Sequence, residues 1–447
     1  MKTYSNPVRI SIISLGCPKT LVDSEVILGK LQDARYRLVN DPESSDVVLL
    51  NTCGFIKDAK QESIDAILKL IDLKKRKKLL SLIVMGCLVQ RYAAELQKEF
   101  PEVDAFMGSG DYVGIAAVLK KVTGGQSVVS VHRAGYLSRS DEKRVSLTPE
   151  FYRYLKISEG CNHTCSFCVI PMLRGKFRSR KIPDVVAEAR TLVREGAREL
   201  VVIGQDITKF GCDYTKRPLL PKLLRALEAV DGLHWIRLLY AYPSSLTDEV
   251  IGTVARATRI CHYLDLPLQH INDRILAAMR RGFDKKKTVA LVRKLRAVMP
   301  DLVLRTSFIV GFPGETEREF RELLDFMQEM KFERLGIFSY SAEQGSPAAS
   351  FPRQIPETIK KERYHRAMQL QQRIAAEVQR RALGKTFEVL VESKDPKSPR
   401  QWIGRSAMDA PEVDGHVFIR SSKSLKPGTF YPVRITDTQA YDLVGEV

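Results

Sequence analysis

Apolar positions along the chain follow two rhythms that alternate. "VRISIISLG" (8–16), "DVVLLNT" (46–52) and "LLSLIVMG" (79–86) are short, nearly unbroken runs of Val, Ile and Leu bounded by Gly or polar residues. That is the pattern of parallel strands buried on both faces. Between them, "SEVILGKLQDA" (24–34) and "KQESIDAILKLIDLKK" (60–75) repeat their apolar residues at helical spacing. Residues 7–122 therefore read as one parallel α/β unit. A hydrophilic stretch, "AGYLSRSDEKRVSLTPE" (134–150), separates it from a second unit with six strand patterns: "YRYLKISEG", "RELVVIGQD", "HWIRLLYAYP", "HYLDLPLQH", "LVLRTSFIVG" and "RLGIFSYS". Helical patterns such as "DVVAEARTLVREG" follow them. Six strand–helix repeats over 147–383 predict an open (β/α)6 barrel, with its site at the carboxyl ends of the strands. A long basic helix closes this unit near Gly384. Residues 384–447 alternate apolar and polar around the turn signals "KDPKSP" and "LKPGTF", which predicts a small β-barrel.

Composition adds location and partners. The 447 residues are 44% hydrophobic and 28% charged, ordinary for a globular chain. The N-terminus lacks the features of a signal peptide, and "LLSLIVMGCLV" (79–89) is too short to span a bilayer. A cytoplasmic protein without membrane contact is expected. The formal net charge of +18 points to a polyanionic neighbour such as RNA or a ribosome, although single basic patches are equally explained as solvated helix faces. The charge is uneven. "KKRKK" (74–78), "RGKFRSRK" (174–181) and "RRGFDKKK" (280–287) are basic, whereas 386–447 carries four Lys and four Arg against nine Asp and Glu.

Eight cysteines in a reducing compartment argue for metal binding or catalysis rather than disulfides. In "EGCNHTCSFCVIP" (159–171), Cys161, Cys165 and Cys168 follow the first strand of the predicted barrel. Three thiolates can hold three irons of a four-iron cubane and leave the fourth open to a small ligand. The alternative is zinc with His163 as fourth ligand, which strains a loop in which His163 stands two residues from Cys161. Cys17, Cys53 and Cys87 each end a strand of the first unit, where parallel sheets bind ligands, so a second open-iron cluster follows by the same logic. Buried packing cysteines are the alternative there, and the expectation for Cys212 and Cys261. No Ser/His/Asp or paired-carboxylate constellation suggests hydrolysis.

The three-cysteine loop after a first barrel strand resembles that of the radical S-adenosylmethionine enzymes. In them the open iron binds the amino and carboxylate groups of S-adenosylmethionine, whose cleavage yields a 5′-deoxyadenosyl radical. Candidate cofactor-binding residues are Gln205 and Asp206 in "VIGQD", Gln269 in "PLQH", Arg305, and Gly311, Pro313, Gly314 and Glu315 in "IVGFPGET". Arg305 is equally readable as half of a structural ion pair. Two such clusters, one in a flavodoxin-like domain and one in the barrel, resemble the methylthiotransferases along the whole chain. The resemblance implies two 4Fe-4S clusters, S-adenosyl-L-methionine, a reducing electron donor, and insertion of –SCH3 at an unreactive carbon.

Members of that family modify either a transfer-RNA adenosine or the β-carbon of an aspartate on a small-subunit ribosomal protein. "SLGCPKTLVDSE", "NTCGFIKDAKQES", "GCLVQRY" and "YLDLPLQH" resemble the second, RimO-type group, with Thr20 where Asn is expected. The last unit resembles a TRAM module. Its slightly acidic balance suits a basic ribosomal protein better than a phosphate backbone, although Arg400, Arg405 and Arg420 could form a basic patch and other basic stretches could touch ribosomal RNA. The competing readings are the transfer-RNA enzyme and a non-catalytic, metal-stabilised RNA-binding protein.

Overall fold

The computed structural model describes residues 4–32, 35–398 and 400–447. Asp33 and Ala34, which end the first predicted helical stretch, lie outside the described residues. The first unit is a six-stranded, all-parallel sheet in the order Tyr36–Leu38, Val8–Ser14, Val47–Thr52, Ser81–Gly86, Ala105–Met107, Val128–Ser130. Strands Val47–Thr52 and Ser81–Gly86 are buried at every position, as their unbroken apolar runs predict. Two short edge strands, Tyr36–Leu38 and Val128–Ser130, were not legible, because three residues carry too little period to read. The second of them carries the sheet past residue 122.

The second unit is an open sheet of six parallel strands in the order Arg334–Ser339, Val303–Val310, Ile260–Asp265, Trp235–Leu238, Glu199–Ile203, Tyr152–Lys156. Helices such as Ile182–Arg194 and Glu317–Met330 cover its outer face, burying Leu192, Phe320 and Leu323 against Leu200 and Phe308. The helix Glu357–Arg380 packs against the last strand and leads into a closed five-stranded barrel: Thr386–Lys394, Gln401–Ser406, Val417–Arg420, Leu443–Glu446, Phe430–Thr438.

The hydrophilic stretch 134–150 is a strap rather than a free linker. The Val145 N–H donates to Glu25 O, and the buried Arg144 pairs with both Glu25 and Glu188. The concave face of the open sheet is filled by residues 405–414 of the C-terminal barrel. Arg405, buried, lies 2.7 Å from Glu199 and 2.7 Å from Glu392. Arg237 donates to Ala407 O at 2.8 Å, Arg334 pairs with Asp409, and Tyr152 bonds Glu412. Arg405 is therefore no part of a surface patch: two carboxylates hold it inside the protein. Arg420 is exposed and shares a shallow groove with Arg400.

Candidate active site

Three neighbouring strands of the first sheet deliver one cysteine each. Cys17 is the residue before the helix Pro18–Lys30, Cys53 follows Val47–Thr52, and Cys87 opens the helix Cys87–Glu99 directly after Ser81–Gly86. The turns that carry them are packed too tightly for side chains. A Cβ on Gly16, at φ +96°, would sit 2.9 Å from Cys53 Cβ. One on Gly86, at φ +104°, would sit 2.6 Å from Thr52 O. Cys161, Cys165 and Cys168 lie in the loop between Ser158–Glu159 and the short helix Ile170–Arg174. Two of their sulfurs accept backbone N–H groups, Cys161 from His163 at 3.4 Å and Cys168 from Ile170 at 3.5 Å.

All six cysteines line one cavity of about 320 Å³ between the two sheets. Burial pushes the Cys53 and Cys168 thiols up to about 12 and the Cys161 thiol up to about 11, and the neighbouring cysteines of each trio add to it. Cys17 goes the other way: the cations of Lys19 and Arg174, with hydrogen bonds from Thr20, outweigh its burial. Thiols crowded together in a dry cavity are poor acids alone and good ligands to a cluster that displaces their protons. Among the described residues, no three His, Cys, Asp or Glu side chains are grouped to hold a single metal ion. His163 is held by the protein: its Nε2 lies 2.6 Å from Asp206 Oδ2, and its ring stacks on Tyr242 at 3.6 Å.

The structure separates the expected cofactor residues into two groups. Gln205 and Gln269 line the cavity. Gln205 donates to Glu159 at 2.6 Å and leaves its own Oε1 buried without a partner, an acceptor aimed at a missing donor. Gln269 holds a left-handed backbone at φ +72°. The others face the protein. Asp206 caps the turn Ile207–Lys209 through Thr208 and holds His163, so its oxygens are taken. Arg305 pairs with Asp265 at 2.9 Å and lies 3.6 Å from Asp414, the structural ion pair of the two readings. Glu315 is buried, accepting the Gly311 N–H at 2.6 Å and bonding His270 and Arg363. Gly311, Pro313 and Gly314 form the turn around this carboxylate and do not line the cavity; a Cβ on Gly311 would meet Lys360 at 2.5 Å.

Several lining residues escaped the sequence reading. Arg174 donates to Cys87 Sγ at 3.3 Å and Arg281 to Cys165 Sγ at 3.5 Å. Tyr242 Oη lies 3.8 Å from Cys165 Sγ. Lys19 projects over the Tyr240 ring, 3.0 Å from its centre, and burial pulls its amine down to about 8. "GCPK" and "LLYAYP" contain Lys19, Tyr240 and Tyr242, but nothing in their spacing says that two distant strand ends meet. Beneath the cavity runs a buried chain of charge. Asp23 pairs with Arg174 and Lys156, Lys156 with Glu159 at 2.9 Å, and Glu159 is held at about 2 against its burial by Lys156 and Arg174. Of the remaining cysteines, Cys261 is core packing, and Cys212 opens the short helix Cys212–Thr215 beside a side pocket shared with Cys161.

Comparison with known proteins accords with this arrangement. Three family models match: uncharacterized protein family UPF0004 over residues 9–108, the radical SAM superfamily over 155–327, and the TRAM domain over 383–447. The ribosomal protein uS12 methylthiotransferase RimO of Pelotomaculum thermopropionicum is 47% identical, over 98% of this chain and 99% of its own. The protein of that name from Geobacter sulfurreducens is 47% identical over 98% of each. Among solved structures, the radical S-adenosylmethionine methyltransferase TsrM from Kitasatospora setae shares the fold, with a TM-score of 0.58 at 15% identity over 83% of this chain and 89% of that one. No helix among the described residues is long and apolar enough to cross a membrane. With nearly half of all positions shared from end to end with such relatives, the chain belongs to the RimO family of radical S-adenosylmethionine methylthiotransferases.

Proposed function

We propose that this methylthiotransferase inserts –SCH3 at the β-carbon of an aspartate in a small-subunit ribosomal protein, with uS12, for which its relatives are named, as the substrate. The observation that supports it best is the shared cavity: two cysteine trios from different sheets open on one space. The proposed division of labour gives Cys17, Cys53 and Cys87 one 4Fe-4S cluster, and Cys161, Cys165 and Cys168 the other. Bound there, S-adenosylmethionine supplies the methyl group and the radical that activates an unreactive C–H bond. The protein's own part is to exclude water and to orient. Phe55, Phe167 and Ile170 dry the cavity, and Gln205 and Gln269 offer hydrogen bonds to the cofactor. Arg174 and Arg281 donate to the sulfurs of Cys87 and Cys165, which would hold the clusters.

The division of the chain into 7–122, 147–383 and 384–447 belongs to the same reading. So do a cytoplasmic location beside the small ribosomal subunit, contact between the exposed basic stretches and ribosomal RNA, and an external reductant. Anaerobically reconstituted protein, reduced and given S-adenosylmethionine and sulfide, is to be offered uS12 or transfer-RNA. A methylthio mass gain on uS12 supports the proposal, and a gain on the nucleic acid alone overturns it.

A further inference from the structure

Three cations line the cavity, and two are fully engaged. Arg174 is held by Asp23 at 2.6 Å, by Glu159 and by Cys87. Arg281 donates to Pro267 O and Cys165 and packs on the Tyr242 ring. Lys19 is the third. Its residue is 8% exposed, its ammonium lies over the face of Tyr240, and among the described residues it makes no hydrogen bond or ion pair; Cys17, Asp265 and Glu159 act on it only at longer range. A buried ammonium without an anion is costly unless something arrives to pair with it.

The ring beneath it is itself held in place. Tyr240 has a left-handed backbone at φ +66°, and its N–H donates to Asp265 at 3.0 Å. Asp265 in turn is fixed by Arg305. Strain of this kind in a bulky residue persists where the surroundings demand that one placement. Tyr240 and Gln269 are the two lining residues that carry it.

We infer that Lys19, seated on Tyr240, is the subsite for the side-chain carboxylate of the substrate aspartate. This inference rests on the proposed function and sharpens it. The carboxylate is one bond from the β-carbon, so an ion pair at Lys19 fixes the reacting carbon in the cavity that both cysteine trios share. It also explains a preference for aspartate. An asparagine of the same shape offers the ammonium a neutral acceptor but no counter-charge, whereas the carboxylate and the ammonium cancel each other's cost of leaving water.

The experiment measures binding of a uS12 peptide carrying aspartate, and of its asparagine counterpart, to the iron-loaded protein. Unmodified protein is expected to bind the aspartate peptide about 10- to 100-fold more tightly, as for a hydrogen bond between charged groups. Lys19→Met is expected to bring the two peptides within about threefold of each other, and Lys19→Arg to restore part of the ratio. Equal binding of both peptides by the unmodified protein overturns the subsite, whether or not the variants fold. So does an undiminished ratio in Lys19→Met. Loss of cluster-bound sulfide in that variant with the ratio intact would assign Lys19 to the cluster instead. Failure of the broader reading looks different: no peptide is modified at all, while transfer-RNA gains the mass.

Discussion

Arg174 and Asp23, 151 residues apart in sequence, form a buried ion pair at 2.6 Å between the short helix Ile170–Arg174 and the helix that follows Cys17. The pair does not stand alone, since Lys156 and Glu159 complete a charge-balanced group of four. Removing one member of such a group leaves its partners charged and dry, which costs far more than the group contributes when whole. Arg174→Met is expected to destabilise the protein by about 3–5 kcal/mol. Asp23→Asn should cost less in that background than alone. Denaturant midpoints of the four proteins in the cycle check both.

The cysteines make a separable prediction about iron. The reconstituted protein should carry about eight irons, and Cys17→Ala, Cys53→Ala or Cys87→Ala about four, with adenosylmethionine cleavage retained. Cys161→Ala, Cys165→Ala or Cys168→Ala should also hold about four irons and lose cleavage. Iron analysis with an assay for 5′-deoxyadenosine distinguishes the two sets, and a Cys212→Ala variant should match the unmodified protein in both.

Gly86 sets the position of Cys87. Gly86→Ala would push a methyl group to within 2.6 Å of Thr52 O at a backbone angle that alanine avoids. The expected cost is more than about 1 kcal/mol. Iron retained after reconstitution should fall toward that of the Cys87→Ala protein, since relief of the clash moves the ligand.

Glu319 supplies a pH signature remote from the cysteines. Burial opposes its ionisation. Hydrogen bonds from Arg274, and from the backbone and hydroxyl of Thr316, outweigh that and hold the carboxyl at about 2. A carboxylate held below its usual value stabilises the fold at every pH above the usual value, and that stability is lost as pH falls through the depressed one. Glu319→Gln should therefore be less stable than the unmodified protein at neutral pH, and the gap should close between about pH 4 and about pH 2. Thr316→Ala, which removes the other half of the capping box, should cost about 1 kcal/mol.

Sequence period carried most of the architecture, because the buried strands are long and the six repeats of the barrel are regular. It failed where an element is three residues long, as at Val128–Ser130, or where hydrophilic residues are buried in pairs, as Arg144 is in the strap. The meeting of the six cysteines in one cavity was legible, since their strand-end positions have a geometric meaning. The site was less legible in Asp206, Arg305 and Glu315. Each of these faces a partner from elsewhere in the chain: His163, Asp265 and Arg363. Polar residue type says that a partner is needed, and only the fold says whether that partner is a ligand or the protein.

The loop 405–414 has a further consequence. A sheet of six strands does not close on itself, and the C-terminal module stoppers the gap from below with Arg405, Asp409 and Asp414. Asp414 touches Arg305, Arg305 fixes Asp265, and Asp265 holds the backbone of Tyr240. The module thus reaches the cavity indirectly, by bracing the residue on which Lys19 sits. A chain cut after residue 383 loses that brace, so Tyr240 is expected to slip and activity to fall even toward a substrate delivered free in solution.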